Sequence, residues 1–190
     1  KVTCLTFNYG SKHNAMENEA ARKIAMYYEV PAQIISLPFI NELFKSDLLS
    51  TGGEVPLGHY EDPSMKRTVV PFRNGIMLSV AGGFAESIGA REVIFGAHAG
   101  DHAIYPDCRR DWVEAMAWSL SLGTYAKIIL SAPFVELSKK MIGEYGLKLG
   151  VPFGMTYSCY LGGPIHCGQC GTCVERREAL YGFDPTRYLT

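Results

Sequence analysis

The stretch VTCLTFNYGSKHNAMENEAARKIAMYYEVPAQIISL, residues 2–37, decides the fold class. Its opening VTCLTF is β-branched and apolar, the composition of a strand, and NYGSKHN behind it carries turn residues. From Met16 to Tyr28 helix formers dominate, with Ala20, Ile24 and Tyr27 at helical spacing, and AQIISL reads as a second strand. Strand, helix, strand is the sequence form of a βαβ unit, which joins parallel strands through a crossover helix.

The same rhythm continues outward. Residues Ser46 to Pro71 interrupt it with Gly, Pro and little periodicity, and a loop of that length predicts a lid or binding loop. Asn74 is placed to cap a helix over 75–89 with an apolar stripe of Ile76, Val80, Phe84 and Ile88, and Gly89 to stop it. EVIFGA reads as a short buried strand. Asp111 and Glu114 form an approximate capping box for the next helix, KIILSAP is another strand, and Ser138 caps a helix that ends near Gly150. The expectation is an α/β domain with a parallel sheet over 1–150 and a cysteine-rich segment, 151–190, packed on the same domain.

At 190 residues the chain is long enough for one well-buried core. Hydrophobic residues at 47% and charged residues at 19% exclude general disorder, and a net charge of −1 gives no global field for a nucleic-acid backbone. No apolar run reaches the roughly 18–20 residues of a membrane span, and the first residues lack the plan of a secretory signal. The chain reads as cytoplasmic, with its natural start missing.

Four of the six cysteines crowd into SCYLGGPIHCGQCGTCVERRE, residues 158–178: Cys159, Cys167, Cys170 and Cys173. Thiols at C-x-x-C intervals separated by glycine let a tight knuckle aim several sulfurs at one ion. A closed structural zinc site is the expected occupant and an iron–sulfur cluster its competitor. Disulfides do not suit an intracellular chain, a thioredoxin-like pair would sit after an early strand, and His166 beside Cys167 reads as a bystander.

Ligands of an open parallel sheet bind beyond its strand ends, so polar residues after the apolar runs are the candidates. Arg73 and Asn74 stand at a helix start, where a guanidinium and backbone N–H groups can hold an anion. His98, Asp101, His102, Asp107 and Arg109 follow a strand directly; their spacing is irregular for a second metal and suits a polar pocket for a heterocycle. Lys139 is a cation at a helix N-terminus, where a phosphate would stabilise it. Tyr9 and Gly10, in NYGSKH, are weak candidates for cofactor binding. Cys4 and Cys108 read as small buried hydrophobes without a role.

Taken together, TFNYGSKH, VPFRNG, GAHAGDHAIYPDCR, LSKK and GVPFGMTYSCY with CGQCGTCVER resemble the QueC family, 7-cyano-7-deazaguanine synthases of deazapurine biosynthesis, in order from residue 1 to about 180. The resemblance implies an adenine-nucleotide α-hydrolase-like fold of the pyrophosphatase-loop kind. It also implies an ATP-dependent ligase that adenylates 7-carboxy-7-deazaguanine, lets ammonia displace AMP, then activates and dehydrates the amide to the nitrile. Arg73 and Lys139 match positions for stabilising the transferring phosphate. Asn74, His98, Asp101 and Asp107 match the deazaguanine pocket, magnesium would accompany ATP, and the family habit is a homodimer. The family's S-G-G-x-D-S phosphate loop has no counterpart here, and KVTCLTF looks like the family's second strand. Alternatives are a relative that joins the activated acid to another acceptor, such as a protein amine, or a zinc-containing binding module without catalysis.

Overall fold

A computed structural model describes residues 1–60 and 62–190. The chain forms two compact units: Lys1–Pro71 together with Gly143–Thr190, and Phe72–Ile142. The four-cysteine segment therefore shares its unit with the N-terminal strands.

In the first unit, β1 (Cys4–Asn8) and β2 (Ala32–Ser36) pair in parallel, from Cys4 opposite Ala32 to Asn8 opposite Ser36, joined by helix α1 (Asn14–Tyr27). The buried face of α1 differs from the apolar one expected. Tyr27 is exposed, whereas Asn14, Asn18 and Ala25 face inward. Asn14 belongs there because its side chain satisfies the turn: Oδ1 accepts from the backbone N–H groups of Tyr9 and Ser11, and Nδ2 donates to the Phe7 carbonyl. A short helix α2 (Pro38–Leu43) follows, with Pro at its first position, where no N–H is needed.

The expected lid is a packed segment over its described residues. Leu48, Leu49, Met65 and Thr68 are at most 1% exposed, and a 3-10 turn spans Pro63–Thr68; residue 61 lies outside the description. The Lys12 ammonium fixes the segment by donating to the carbonyls of Asp47 at 2.8 Å, Leu49 at 2.5 Å and Gly52 at 3.4 Å. Opening such a segment would expose four fully buried side chains, which its Gly and Pro content alone did not convey.

In the second unit, β3 (Glu92–Ile94) and β4 (Ile129–Ser131) pair in parallel, with α3 (Arg73–Ser87) on β3 and α4 (Arg110–Gly123) on β4. The fold is thus α/β with two small parallel sheets. β3 is not buried as expected: Ile94 is 66% exposed, since a two-stranded sheet covered by helices on one face leaves the other open. Asn74 is the second residue of α3 and not its cap, and the fully buried face of α3 is Leu78, Ala81 and Ala85, beside the expected stripe. That face carries Gly82, where a Cβ would lie 2.5 Å from the Leu120 side chain of α4, so a larger residue would require that side chain to shift. Asp111 makes no box with Glu114; it accepts from its neighbour Trp112. Helix α5 (Lys139–Lys148) is capped by Ser138 Oγ as expected.

Returning to the first unit, helix α6 (Gly171–Ala179) and the tail are locked by a buried ion pair. Arg176 donates to Asp184, to Thr156 Oγ1 and to the Phe153 carbonyl, while Tyr188 O–H and Thr186 N–H donate to the same carboxylate. Burial alone would raise the Asp184 pKa, but these donors outweigh it and hold the group at about 2. Because the folded value lies below the ordinary 3.8, its contribution to stability is present above the unfolded pKa and is lost as pH falls through the folded one. The melting temperature of the unaltered protein should exceed that of Asp184→Asn by a constant margin down to about pH 5, and the margin should shrink between about pH 4 and 2. A margin unchanged across acid melts would mean that the carboxylate charge contributes nothing.

Candidate functional site

Cys159 arrives from the irregular run after α5, while Cys167 and Cys170 precede α6 and Cys173 lies in its first turn. Their four ligand sulfurs lie within 4.8 Å of one another, and Cys159, Cys170 and Cys173 are fully buried. Cys167 and Cys173 stand 3.8 Å apart, far beyond a disulfide bond of about 2.05 Å and equal to the edge of a tetrahedron with metal–sulfur bonds of about 2.3 Å. Backbone N–H groups point at the sulfurs, from Cys167 to Cys159 and from Gln169 and Cys170 to Cys167, the arrangement that suits thiolate acceptors. The neighbouring Cys170 and Cys173 thiols lower the Cys159 pKa, and their own rise beside it. Four such thiols could hold a metal ion. His166 stays outside this group: its Nε2 accepts from the Ser158 N–H, and its ring packs against Tyr157 and Tyr188.

The knuckle reaches the β1–α1 turn of the same unit. Tyr160 packs its ring on His13 at 5.3 Å, and a Cβ on Gly162 would fall 2.2 Å from the Lys12 carbonyl. Only glycine, here at φ +74°, permits that approach. The turn carries the two cofactor candidates. Tyr9 is buried with its hydroxyl 3.5 Å from His13 Nε2, and Gly10 is walled by Asn41. The buried His13 also meets the part-exposed Glu17 at 3.4 Å, a contact that the i, i+4 spacing could have signalled.

The other candidates belong to the second unit, where Arg73, Asn74 and Asp107 share one network and His98 pairs with Asp101. Phe72 adopts a left-handed conformation, φ +52°, immediately before Arg73. At the helix start the Asn74 N–H donates to Asp107 Oδ2 at 3.1 Å, so one of its N-terminal N–H groups binds the protein's own carboxylate. Asn74 Nδ2 donates to the Asp107 carbonyl and to Cys108 Sγ, both at 3.4 Å, and its Oδ1 accepts from Arg73. Asp101 stands 3.3 Å from His98 Nε2. Burial lowers the His98 pKa, with the Lys139 charge acting in the same direction against Asp101. His98 Nε2 faces the Asp101 carboxylate at 3.3 Å, and its Nδ1 is buried without a hydrogen-bond partner. His98, Asp101 and His102 form no metal cluster among the described residues. Cys108 was missed as part of this network, and only its place beside Asp107 could have hinted at it.

A cleft of 470 Å³ opens in the first unit, lined among others by Lys23, Tyr157, Ile165, His166 and Arg187. None of the candidate substrate residues lines it, and the hydroxyl of Tyr157, which does, donates to the Gly163 carbonyl.

Residues 1–184 match the family described as queuosine biosynthesis protein QueC. A 7-cyano-7-deazaguanine synthase of Porphyromonas gingivalis is 50% identical over 187 residues, covering 97% of this chain and 85% of that protein. One from Desulfotalea psychrophila is 50% identical over 188 residues, 97% of this chain and 86% of its own. One from Caldicellulosiruptor bescii is 46% identical over 191 residues, 99% and 86%.

Two outcomes follow from the knuckle. Cys170→Ser, or chelation, should release the metal and lower the melting temperature by more than about 5 °C, because metal binding energy at such a site is folding energy; unchanged melting after verified metal loss refutes a structural role. Gly162→Ala should destabilise by about 1–3 kcal/mol through the Lys12 clash while leaving metal content intact, measured by denaturant unfolding with metal analysis.

Proposed function

This chain belongs to the QueC family of queuosine biosynthesis, and we propose that it is a 7-cyano-7-deazaguanine synthase. It would convert 7-carboxy-7-deazaguanine, ammonia and ATP into the nitrile. The observation that carries this reading is the agreement of relatives at 43–51% identity over nearly the whole chain, all bearing that name.

The chemistry divides into two activations. The substrate carboxylate attacks the α-phosphorus of ATP and expels pyrophosphate; ammonia then attacks the acyl carbon, and AMP leaves with the carboxylate oxygen to give the amide. The amide oxygen is adenylated in its turn, and loss of AMP with the two nitrogen protons leaves the carbon–nitrogen triple bond. A cation beside the reacting phosphate stabilises the charge that develops there, the role we assign to Arg73 and Lys139. A guanine-like edge presents N–H donors, and the acceptors Asp101, Asp107 and the bare Nδ1 of His98 suit it, with Asn74 holding Asp107 in place. Tyr9 and Gly10 would border the nucleotide, and magnesium would enter with the ATP phosphates.

Zinc is the metal that suits four thiolates at tetrahedral spacing, and when bound by Cys159, Cys167, Cys170 and Cys173 it supplies folding energy to a closed site. Two parallel strand pairs with helical crossovers support the adenine-nucleotide α-hydrolase-like fold, with the cysteine segment packed on the nucleotide-binding domain. A cytoplasmic homodimer belongs to the same reading by family analogy. Small molecules are its partners, without nucleic acid or membrane; no described helix is long and apolar enough to cross a bilayer.

Given ATP, magnesium, ammonium and 7-carboxy-7-deazaguanine, the full-length gene product should release AMP and form the nitrile, followed by mass spectrometry. Lys139→Ala should lower kcat by about 10²-fold or more. AMP without nitrile would redirect the activated acid to another acceptor, and neither product would remove the synthase reading.

A further inference from the structure

Helix α4 turns Val113 and Leu120 inward. Its opposite face carries Asp111, Ala115, Trp118, Ser119 and Leu122, all exposed, on a stripe about 100° wide at 3.6 residues per turn. Trp118 is 67% and Leu122 79% exposed, and just past the helix end Tyr125 stands fully clear of the surface. The turn that presents Tyr125 is pinned on three sides. Thr124 Oγ1 donates to the Leu120 carbonyl at 2.7 Å and accepts from the Ile128 N–H at 2.9 Å, while the Ala126 N–H donates to the Glu86 carboxylate at 2.8 Å. A ring held uncovered on such a turn has already lost the freedom that binding would otherwise cost. We propose that this face of α4 docks a second copy of the chain, antiparallel, about a two-fold axis between Trp118 and Ser119.

A two-fold interface must match itself, and this face does. Around that axis Leu122 meets Ala115 of the second copy and Trp118 meets its Ser119, so each large side chain lies over a small one. The charges match as well. The face begins with exposed Asp111 and is followed by exposed Lys127, and the antiparallel arrangement brings each Asp111 level with the other copy's Lys127. A parallel arrangement would set like charges together. Arg110, which also comes near Lys127, is already paired with Glu114 at 3.0 Å and Glu136 at 3.1 Å. Trp118, Leu122 and Tyr125 present on the order of 500 Å², and with the small residues between them they approach the roughly 800 Å² per partner of a standard interface. Trp and Tyr are also the side chains that most often anchor such contacts. This gives the homodimer proposed above its interface; mass and not turnover decides it, so the synthase reading can fail without it.

Sedimentation velocity of the metal-loaded, full-length gene product over a concentration series tests it. The unaltered protein should sediment as a dimer. Trp118→Glu combined with Leu122→Glu should raise the dissociation constant by about 10²-fold or more, with circular dichroism and metal content unchanged because both side chains already face solvent. A charge exchange reads the orientation: Asp111→Lys should weaken the dimer, and adding Lys127→Asp should restore it. A dimer indifferent to the double Glu variant would place the interface elsewhere, and weakening without rescue would overturn the antiparallel arrangement. An unaltered protein that stays monomeric at every concentration overturns the proposal. Shielding of Trp118 from acrylamide quenching in that monomer would assign the face to another part of the full-length chain.

Discussion

Four thiols within 4.8 Å of one another cannot all be ionised without a cation between them, because like charges that close raise one another's pKa values. Much of the first unit is arranged around that constraint. The run from Gly150 to Cys170 contains no regular element beyond the 3-10 turn Phe153–Met155, so few ladder hydrogen bonds hold it. Its order comes instead from the sulfurs, from Arg176 reaching back to Phe153 and Thr156, and from Tyr160 and Gly162 laid against the β1–α1 turn. A metal that gathers the sulfurs thereby also orders the backbone around Tyr9.

The second unit relies on a different economy of polar groups. The start of α3 needs acceptors for its free N–H groups, and Asp107 provides one from 33 positions away. That single bond makes a loop carboxylate part of a helix terminus. Arg73, Asn74, Asp107 and Cys108 are then held in one line of contacts, and the left-handed Phe72 turns the chain into it. Polar side chains buried in such a chain have few ways to rearrange, since moving one leaves another unsatisfied.

Which parts of this were legible follows from where the determinants lie. Strands and helices have local periodicity, and both parallel pairs stand where VTCLTF, AQIISL, EVIFGA and KIILSAP put them. The cysteine site was equally legible because its ligands lie within fifteen positions and its spacing is itself the geometry. Buried faces were less so: α1 turns Asn14 and Asn18 inward to serve backbone groups, which no hydrophobic pattern encodes. The cap at α3 was misassigned to Asn74 because the true partner is distant in sequence. The packed Ser46–Pro71 segment read as a lid because the Lys12 ammonium that binds its carbonyls lies outside it.

The first unit is discontinuous along the chain, with Phe72–Ile142 intervening between its two pieces. On a growing chain the β1–α1–β2 piece must therefore wait for Gly143–Thr190, while the intervening unit has all its contacts in one stretch and can condense first. Closing so long a loop is slow compared with local helix and hairpin formation, which makes docking of the cysteine segment the late step of folding. Supply of the metal that four such thiols could hold would then act on the yield of mature protein at the moment of synthesis, and metal starvation would appear as newly made chains lost to proteolysis and not as a decline in molecules already folded.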